Sequence, residues 1–157
     1  TTFTLIQGDG ILYQNSFDYG GGYITAAISE KYEIDFSKAE ELKRKINLTK
    51  AETGNYTLVE LDGEYFPEED LIKLVKNTLD VLCENISTSM ELSGYAIPEY
   101  VPVMITGGGI AYLRGAKEHV SSRVGAITEI LVPEVPLMDK PTESSVLSLL
   151  DLVAEQN

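Results

Sequence analysis

Tryptophan is absent from the 157 residues, and cysteine and histidine occur once each, as Cys83 and His119. A single cysteine excludes an intrachain disulfide and any cysteine-rich zinc site, and it reads as a small core residue. His119 has no Cys, His or acidic cluster at metal spacing around it, so it reads as a solvated helix residue and not as a ligand or base. Positive charge is also scarce. Twelve Lys and Arg face 25 Asp and Glu, a net charge of -13, which argues against nucleic acid or an anionic lipid surface as partner. A phosphate bound by such a chain must be held by backbone amides, helix ends or metal. No apolar run approaches the ~18 residues of a membrane span, and no basic-apolar leader opens the sequence, so the chain is expected to be soluble and cytoplasmic. The GxxxxGK[ST] phosphate loop and the GxGxxG fingerprint are both missing, which removes the P-loop and dinucleotide readings.

What is present is a succession of short strands and helices separated by glycine and proline. Thr2 to Ile6 and Ile11 to Phe17 are β-prone runs joined by Gln7-Gly8-Asp9-Gly10, a tight hairpin turn. Gly20-Gly21-Gly22 leads into a helical pattern through Lys31. Asp35 or Ser37 can cap a second helix running to Ile46. Tyr56 to Leu61 alternates as a strand. Pro67 and the acidic Glu68-Glu69-Asp70 then start a long amphipathic helix reaching Leu92, with Leu71, Leu74, Val75, Thr78, Leu82, Ile86 and Met90 near one face. Val101 to Ile105 reads as a strand buried on both faces, ending in Thr106-Gly107-Gly108-Gly109. A helix over 113–123, a strand over 127–132, a proline-rich connection and a last amphipathic helix over 142–155 complete the pattern.

Three features could cooperate in binding: Gly20-Gly21-Gly22, Thr106-Gly107-Gly108-Gly109, and the charged helix Ala39-Glu40-Glu41-Leu42-Lys43-Arg44. Glycine after a strand lets a ligand approach the backbone, and the amides of the next helix can receive anionic groups. Either triplet alone is equally a tight strand-to-helix turn, and Glu40 with Lys43 or Arg44 alone is an ordinary i,i+3 or i,i+4 pair. Glu40 could accept ribose hydroxyls, while the Lys43 stem or Arg44 plane could cover an adenine face.

The joint order of these pieces resembles the second domain of the actin, DnaK and sugar-kinase superfamily, and within it the cell-division protein FtsA and FtsA-like proteins. Thr1-Thr2 resembles the end of the second phosphate motif (Asp-x-Gly-x-x-Thr-Thr), and Asp18-Tyr-Gly-Gly-Gly-Tyr-Ile-Thr25 its Gly-Gly-x-x-Ile-Thr segment. Lys38-Ala-Glu-Glu-Leu-Lys43 is similar to the Ala-Glu-x-x-Lys helix, and Met104-Ile-Thr-Gly-Gly-Gly109 to the adenosine motif. Tyr112-Leu-Arg-Gly115 and Lys140-Pro-Thr-Glu-Ser-Ser145 follow the same layout, so the resemblance spans nearly the whole chain.

That resemblance implies an α/β actin-like domain, a ribonuclease-H-like mixed sheet flanked by helices. Residues 1–33 and 86–157 would form one subdomain and 34–85 a smaller inserted α+β lobe. It implies ATP with Mg2+ as ligand in the complete protein. Thr1, Gly20 and Gly21 would lie near phosphate and ribose, Glu40 and Lys43 near ribose and adenine, Arg44 on the adenine, and Gly107, Gly108 and Gly109 beside the nucleoside. No residue is assigned a catalytic role. The implied partners are the first domain of the same protein, further copies of it and cell-division proteins. Membrane would be reached only indirectly or through residues outside this chain, at the inner face of the cell membrane.

The stretch from Thr106 to Gly115 is one residue longer than the FtsA spacing. The Asp and Gly of the second phosphate motif are not in the sequence, and in the family they lie on the central strand of the sheet. Without that strand its two neighbours lose their pairing, at roughly 1 to 3 kcal/mol for each buried unsatisfied group. The strand is therefore expected from residues outside the sequence, from a neighbouring chain, or through rearranged pairing. A pilus-assembly or chaperone-type actin homologue is the alternative within the superfamily, and a non-enzymatic interaction module on the same fold is the alternative outside it.

Overall fold

A computed structural model describes residues 1–50, 57–133, 139–144 and 146–147. The chain opens with the antiparallel hairpin β1 (Thr2–Gln7) and β2 (Gly10–Ser16). Its register slips between Leu5 and Ile6, which pair with Tyr13 and Ile11, so Leu12 is the extra residue of a bulge. Gly20 then turns the chain into α1 (Gly21–Tyr32), which ends on Glu33 in the left-handed region at φ 52.

Helix α2 (Phe36–Lys45) buries Ala39, Leu42 and Lys43. Asp35 sits at its N-cap position, but its side chain makes no capping hydrogen bond. Strands β3 (Leu58–Leu61) and β4 (Glu64–Pro67) form a second hairpin, turned by Asp62 and Gly63 at φ 54 and 80. The sequence reading has no β4. Four residues are too few to show alternation, and the two positive φ angles are what bring Glu64–Pro67 back onto β3. Pro67 therefore ends a strand, and Glu68 begins α3 (Glu68–Leu92) with acids in the first turn, where the helix dipole favours them.

Helix α3 is 25 residues long and buries Leu71, Ile72, Val75, Leu79, Leu82, Cys83 and Ile86. It runs unbroken through 85–86, where the resemblance divides the lobe from the subdomain. Its buried residues join Ile24 and Ile28 of α1, Ala39 and Leu42 of α2, and Ala116 and Val120 of α4 (Ala116–Val124) in one hydrophobic cluster. Strands β5 (Val103–Ile105) and β6 (Thr128–Ile130) pair in parallel around α4.

Two expectations need correction. β5 is shorter than 101–105 and is not buried on both faces, since Met104 is 47% exposed. Among the described residues β5 has β6 on one side and no strand on the other. The mixed character of the expected sheet is present, with β1-β2 and β3-β4 antiparallel and β5-β6 parallel, and among the described residues these pairs are three separate two-stranded sheets. His119, however, is not solvated. Its Nε2 lies 2.7 Å from Asp80 Oδ1, and Arg123 donates to the other Asp80 oxygen at 2.6 Å, pinning α4 to α3. Of the last expected helix, Pro141–Glu143 is a 3-10 turn, and positions 145 and 148–157 lie outside the described residues.

Candidate functional site

The two glycine turns meet at Gly21 and Gly109, 88 positions apart in sequence. A Cβ at Gly21 would overlap the Gly109 carbonyl group, so the first turn of α1 rests directly on the turn that follows β5. Only a residue without a side chain permits this approach. Gly20 faces Thr1, whose Oγ1 would lie 3.0 Å from a Cβ there. Thr1 is held in place by its own bonds, since Oγ1 donates to the Tyr19 carbonyl and the amine donates to Phe17 O at 2.9 Å.

Helix α2 closes the junction from the side. Lys43 is 4% exposed, and its ammonium donates to Gly21 O at 3.2 Å, Thr25 Oγ1 at 2.9 Å and Glu40 Oε2 at 2.5 Å. An ammonium has three protons, and these three acceptors use them all. Thr25, fully buried, passes its own hydroxyl proton to the same Glu40 oxygen at 2.5 Å. The result is a polar clamp that ties the first turn of α1 to α2. Burial pushes the Glu40 carboxyl up, but the hydrogen bonds from Lys43 and Thr25 outweigh it and hold Glu40 below the usual carboxylate range.

What this clamp leaves outward is the second carboxylate oxygen and Arg44. Arg44 Nε reaches Glu40 Oε1 at 3.3 Å, and its side chain is 62% exposed. The structure thus brings Thr1, Gly20, Gly21, Glu40, Lys43, Arg44 and Gly109 into one neighbourhood. Gly107 and Gly108 turn elsewhere. Gly107 donates its amide to Pro141 O at 3.1 Å with φ +87, and a Cβ at Gly108 would meet Thr142 Cγ2 at 2.6 Å. Thr106 joins the same contact, donating to Ser144 Oγ at 2.7 Å.

Sequence reasoning quoted Thr25 and Thr142 within longer motifs but gave neither a role at the site, although Thr25 stands one helical turn after Gly21 and that spacing is a usable signal. Thr142 had none, because the contact with Gly108 joins parts of the chain that only folding brings together. Tyr19 and Tyr23 were also missed. Their rings stack at 4.5 Å beside the Gly20 turn, Tyr23 half-exposed.

The chemistry available here is binding: an acceptor oxygen, a planar cation and backbone at two glycine turns. Among the described residues no group of three or more His, Cys, Asp and Glu could hold a metal ion.

The α/β domain matches part of the actin-like ATPase fold. It is similar to the ethanolamine utilization protein EutJ from Carboxydothermus hydrogenoformans, at TM-score 0.60 and 18% identity, over 90% of this chain and 43% of that one. It is similar also to a chain of the PilM-PilN type IV pilus biogenesis complex, at TM-score 0.69 and 20% identity, over 94% of this chain and 41% of that one. The chain thus spans less than half the length of either structure. No family model matches the sequence, and no curated protein matches it. Among the described residues no helix is long and apolar enough to cross a membrane.

Proposed function

We propose that this chain is the nucleotide-binding second half of an actin-type ATP-binding protein. The observation that carries the reading is the junction itself: the Gly20-Gly21 turn, the Gly109 turn and the Glu40–Arg44 face converge, although they are far apart in sequence. Glu40 Oε1 accepts ribose hydroxyls, Arg44 covers the base, and Lys43 acts from behind by fixing the Gly21 turn and Glu40. Phosphate, Mg2+ and any water activation belong to the other half of the cleft, and Thr1 and Gly20 mark its edge. Positions 34–85 act as the smaller lobe over the base.

Calorimetric titration of ATP into the full-length parent protein tests this. Micromolar binding that is lost in Glu40→Ala supports it, and equal binding in wild type and variant removes the site from this junction.

Two assignments of the parent compete. The FtsA-type motifs favour an ATP-governed, self-associating cell-division protein at the inner face of the membrane, and the likeness to the PilM chain favours a pilus-assembly homologue. Sedimentation of the full-length protein with ATP separates them. Filaments favour the first, and a constant small species favours the second.

A further inference from the structure

The strand edges of this molecule are not alike. β1 and β5 line a cleft of about 640 Å³, where the resemblance puts the central strand of the family's sheet. Three other strands carry charge: Glu60 in β3, Glu64 in β4 and Glu129 in β6. β2 differs from all of them. It lies away from the cleft, and from Gly10 to Phe17 it has no charged residue and no proline, the ordinary guards of a sheet edge. It is also the longest strand among the described residues. The one guard present is the bulge at Leu12, which leaves Tyr13 to Phe17 regular.

The backbone groups on the outer edge of β2 can be assigned. Phe17 N–H donates to Thr1 O at 3.0 Å, and Phe17 O accepts from the Thr1 amine at 2.9 Å. Alternation then turns the backbone groups of Asn15 and Tyr13 toward Phe3 and Leu5 of β1. The N–H and C=O of Gln14 and Ser16 are left pointing away from β1. Among the described residues no strand pairs with that edge, and no loop bonds to these groups. Both residues are exposed. The two faces follow from side-chain bonds. Asn15 Nδ2 donates to Ser89 Oγ of α3 at 3.0 Å, so Tyr13 and Asn15 lie on the helix side. Gln14 and Ser16 lie on the other, with Ser16 Oγ 3.1 Å from Thr2 Oγ1.

We propose that the outer edge of β2 pairs with the same edge of a second copy, antiparallel about a two-fold axis, which joins the two β1-β2 hairpins edge to edge as one sheet. With the axis at Asn15, Gln14 of each copy exchanges its outward bonds with Ser16 of the other, so every outward group of the regular run is answered. Tyr13 then lies across from Phe17 of the second copy, an aromatic cross-strand pair. Charge selects the occupant. Each copy carries a net charge of -13, so two copies repel wherever their acidic faces meet, and an unlike protein attracted by that charge would seek those faces. The uncharged run from Gly10 to Phe17 is where like copies touch without opposing carboxylates. Asp18, next along the chain, falls beside Leu12 of the second copy in this register. The contact is isologous and closes at two, unlike the head-to-tail contact of a filament. It needs no nucleotide and does not rest on the nucleotide reading.

Sedimentation velocity of the full-length protein without nucleotide tests the proposal. The expected result is a dimer that grows no further, with a dissociation constant that falls at least ~threefold from low to high salt, because screening relieves the repulsion between acidic copies. Gln14→Pro and Ser16→Pro each remove one outward N–H without touching a bond to β1. The loss counts twice about the two-fold axis, so each should weaken the dimer at least ~tenfold. Gln14→Thr keeps the backbone donor and should leave the dimer unchanged. A monomer at every concentration, a species that keeps growing, a dimer that loosens with salt, or a dimer indifferent to both prolines overturns the proposal. If the proline variants do not fold, amide hydrogen exchange of the wild type decides. Exchange at Gln14 and Ser16 should slow at least ~tenfold as protein concentration rises, while Tyr13 and Asn15 stay protected throughout. Exchange at Gln14 and Ser16 that does not respond to concentration overturns it.

Discussion

The α1–α2 junction and the β1–β5 cleft lie next to each other and are built on opposite terms. At the junction each polar group has an internal partner: Lys43 has three acceptors, Thr25 a donor and an acceptor, and Gly21 gives up its side chain to admit the Gly109 backbone. In the cleft two strand edges have no strand partner among the described residues, and Met104 is half-exposed. The contrast separates two uses of glycine and backbone. One closes a contact permanently, and the other keeps a row of hydrogen-bonding groups available.

The sharpest way to break this comparison is Gly21→Ala. Its Cβ has no room against Gly109 backbone, and overpacking of this kind costs ~3 kcal/mol or more. For a chain of this size the melting temperature should fall by about 6 to 12 °C. Gly22→Ala is the matched control, since nothing lies within 4 Å of a Cβ there. Replacing glycine within a helix should leave it unchanged or raise it slightly.

Lys43→Met comes next. It leaves Glu40 without its main partner, but Glu40 is 28% exposed and water offsets part of the loss. Chemical denaturation should show a cost of about 2 kcal/mol, below the 3 to 5 typical of a fully buried pair. Arg44→Ala, on an exposed pair, should change stability by less than ~0.5 kcal/mol while still weakening nucleotide binding.

Acid titration gives a smaller effect. The Glu40 carboxyl titrates below its ordinary 4.5 in the folded chain, so the unfolded chain takes up its proton first as pH falls. The associated stability is fully present above pH 4.5 and is lost as pH drops below that value through the folded pKa. Glu68 adds to the same window, held low by its hydrogen bond from Lys50. Stability curves of wild type and Glu40→Gln should therefore converge below pH 4.5 and stand apart above it.

The smallest expected effect is on the cleft side. Met104→Thr should alter stability by less than ~0.5 kcal/mol, whereas Ile105→Thr, at a position 8% exposed, should cost ~2 kcal/mol or more. Equal losses at the two positions would show that the cleft wall is packed as tightly as the junction.

Much of this was legible in the amino-acid order because it is local. The hairpin turn at Gly8, the helix after Gly21 and the acidic first turn and apolar face of α3 each follow from residues within a few positions of one another. The order of the glycine turns and the Glu40–Arg44 helix also sufficed to indicate the actin-like fold. β4 was not legible, because a four-residue strand has no period of its own and depends on the Asp62-Gly63 turn. His119 misled for a related reason: its partner Asp80 lies 39 positions away on another helix.

By itself, then, the sequence determined the elements other than β4, their order along the chain, and the exclusion, within these residues, of an intrachain disulfide, a cysteine-rich zinc site and a GxxxxGK[ST] phosphate loop. Tertiary structure alone decided that Lys43 is a clamp with its protons turned inward, that Gly108 rests on Thr142 while Gly21 rests on Gly109, and that β1 and β5 face each other across an open cleft. The physical reason is one of range. Propensity and periodicity act within a turn or two of chain, whereas the partner of a buried ammonium or a strand edge is whichever group folding carries to it.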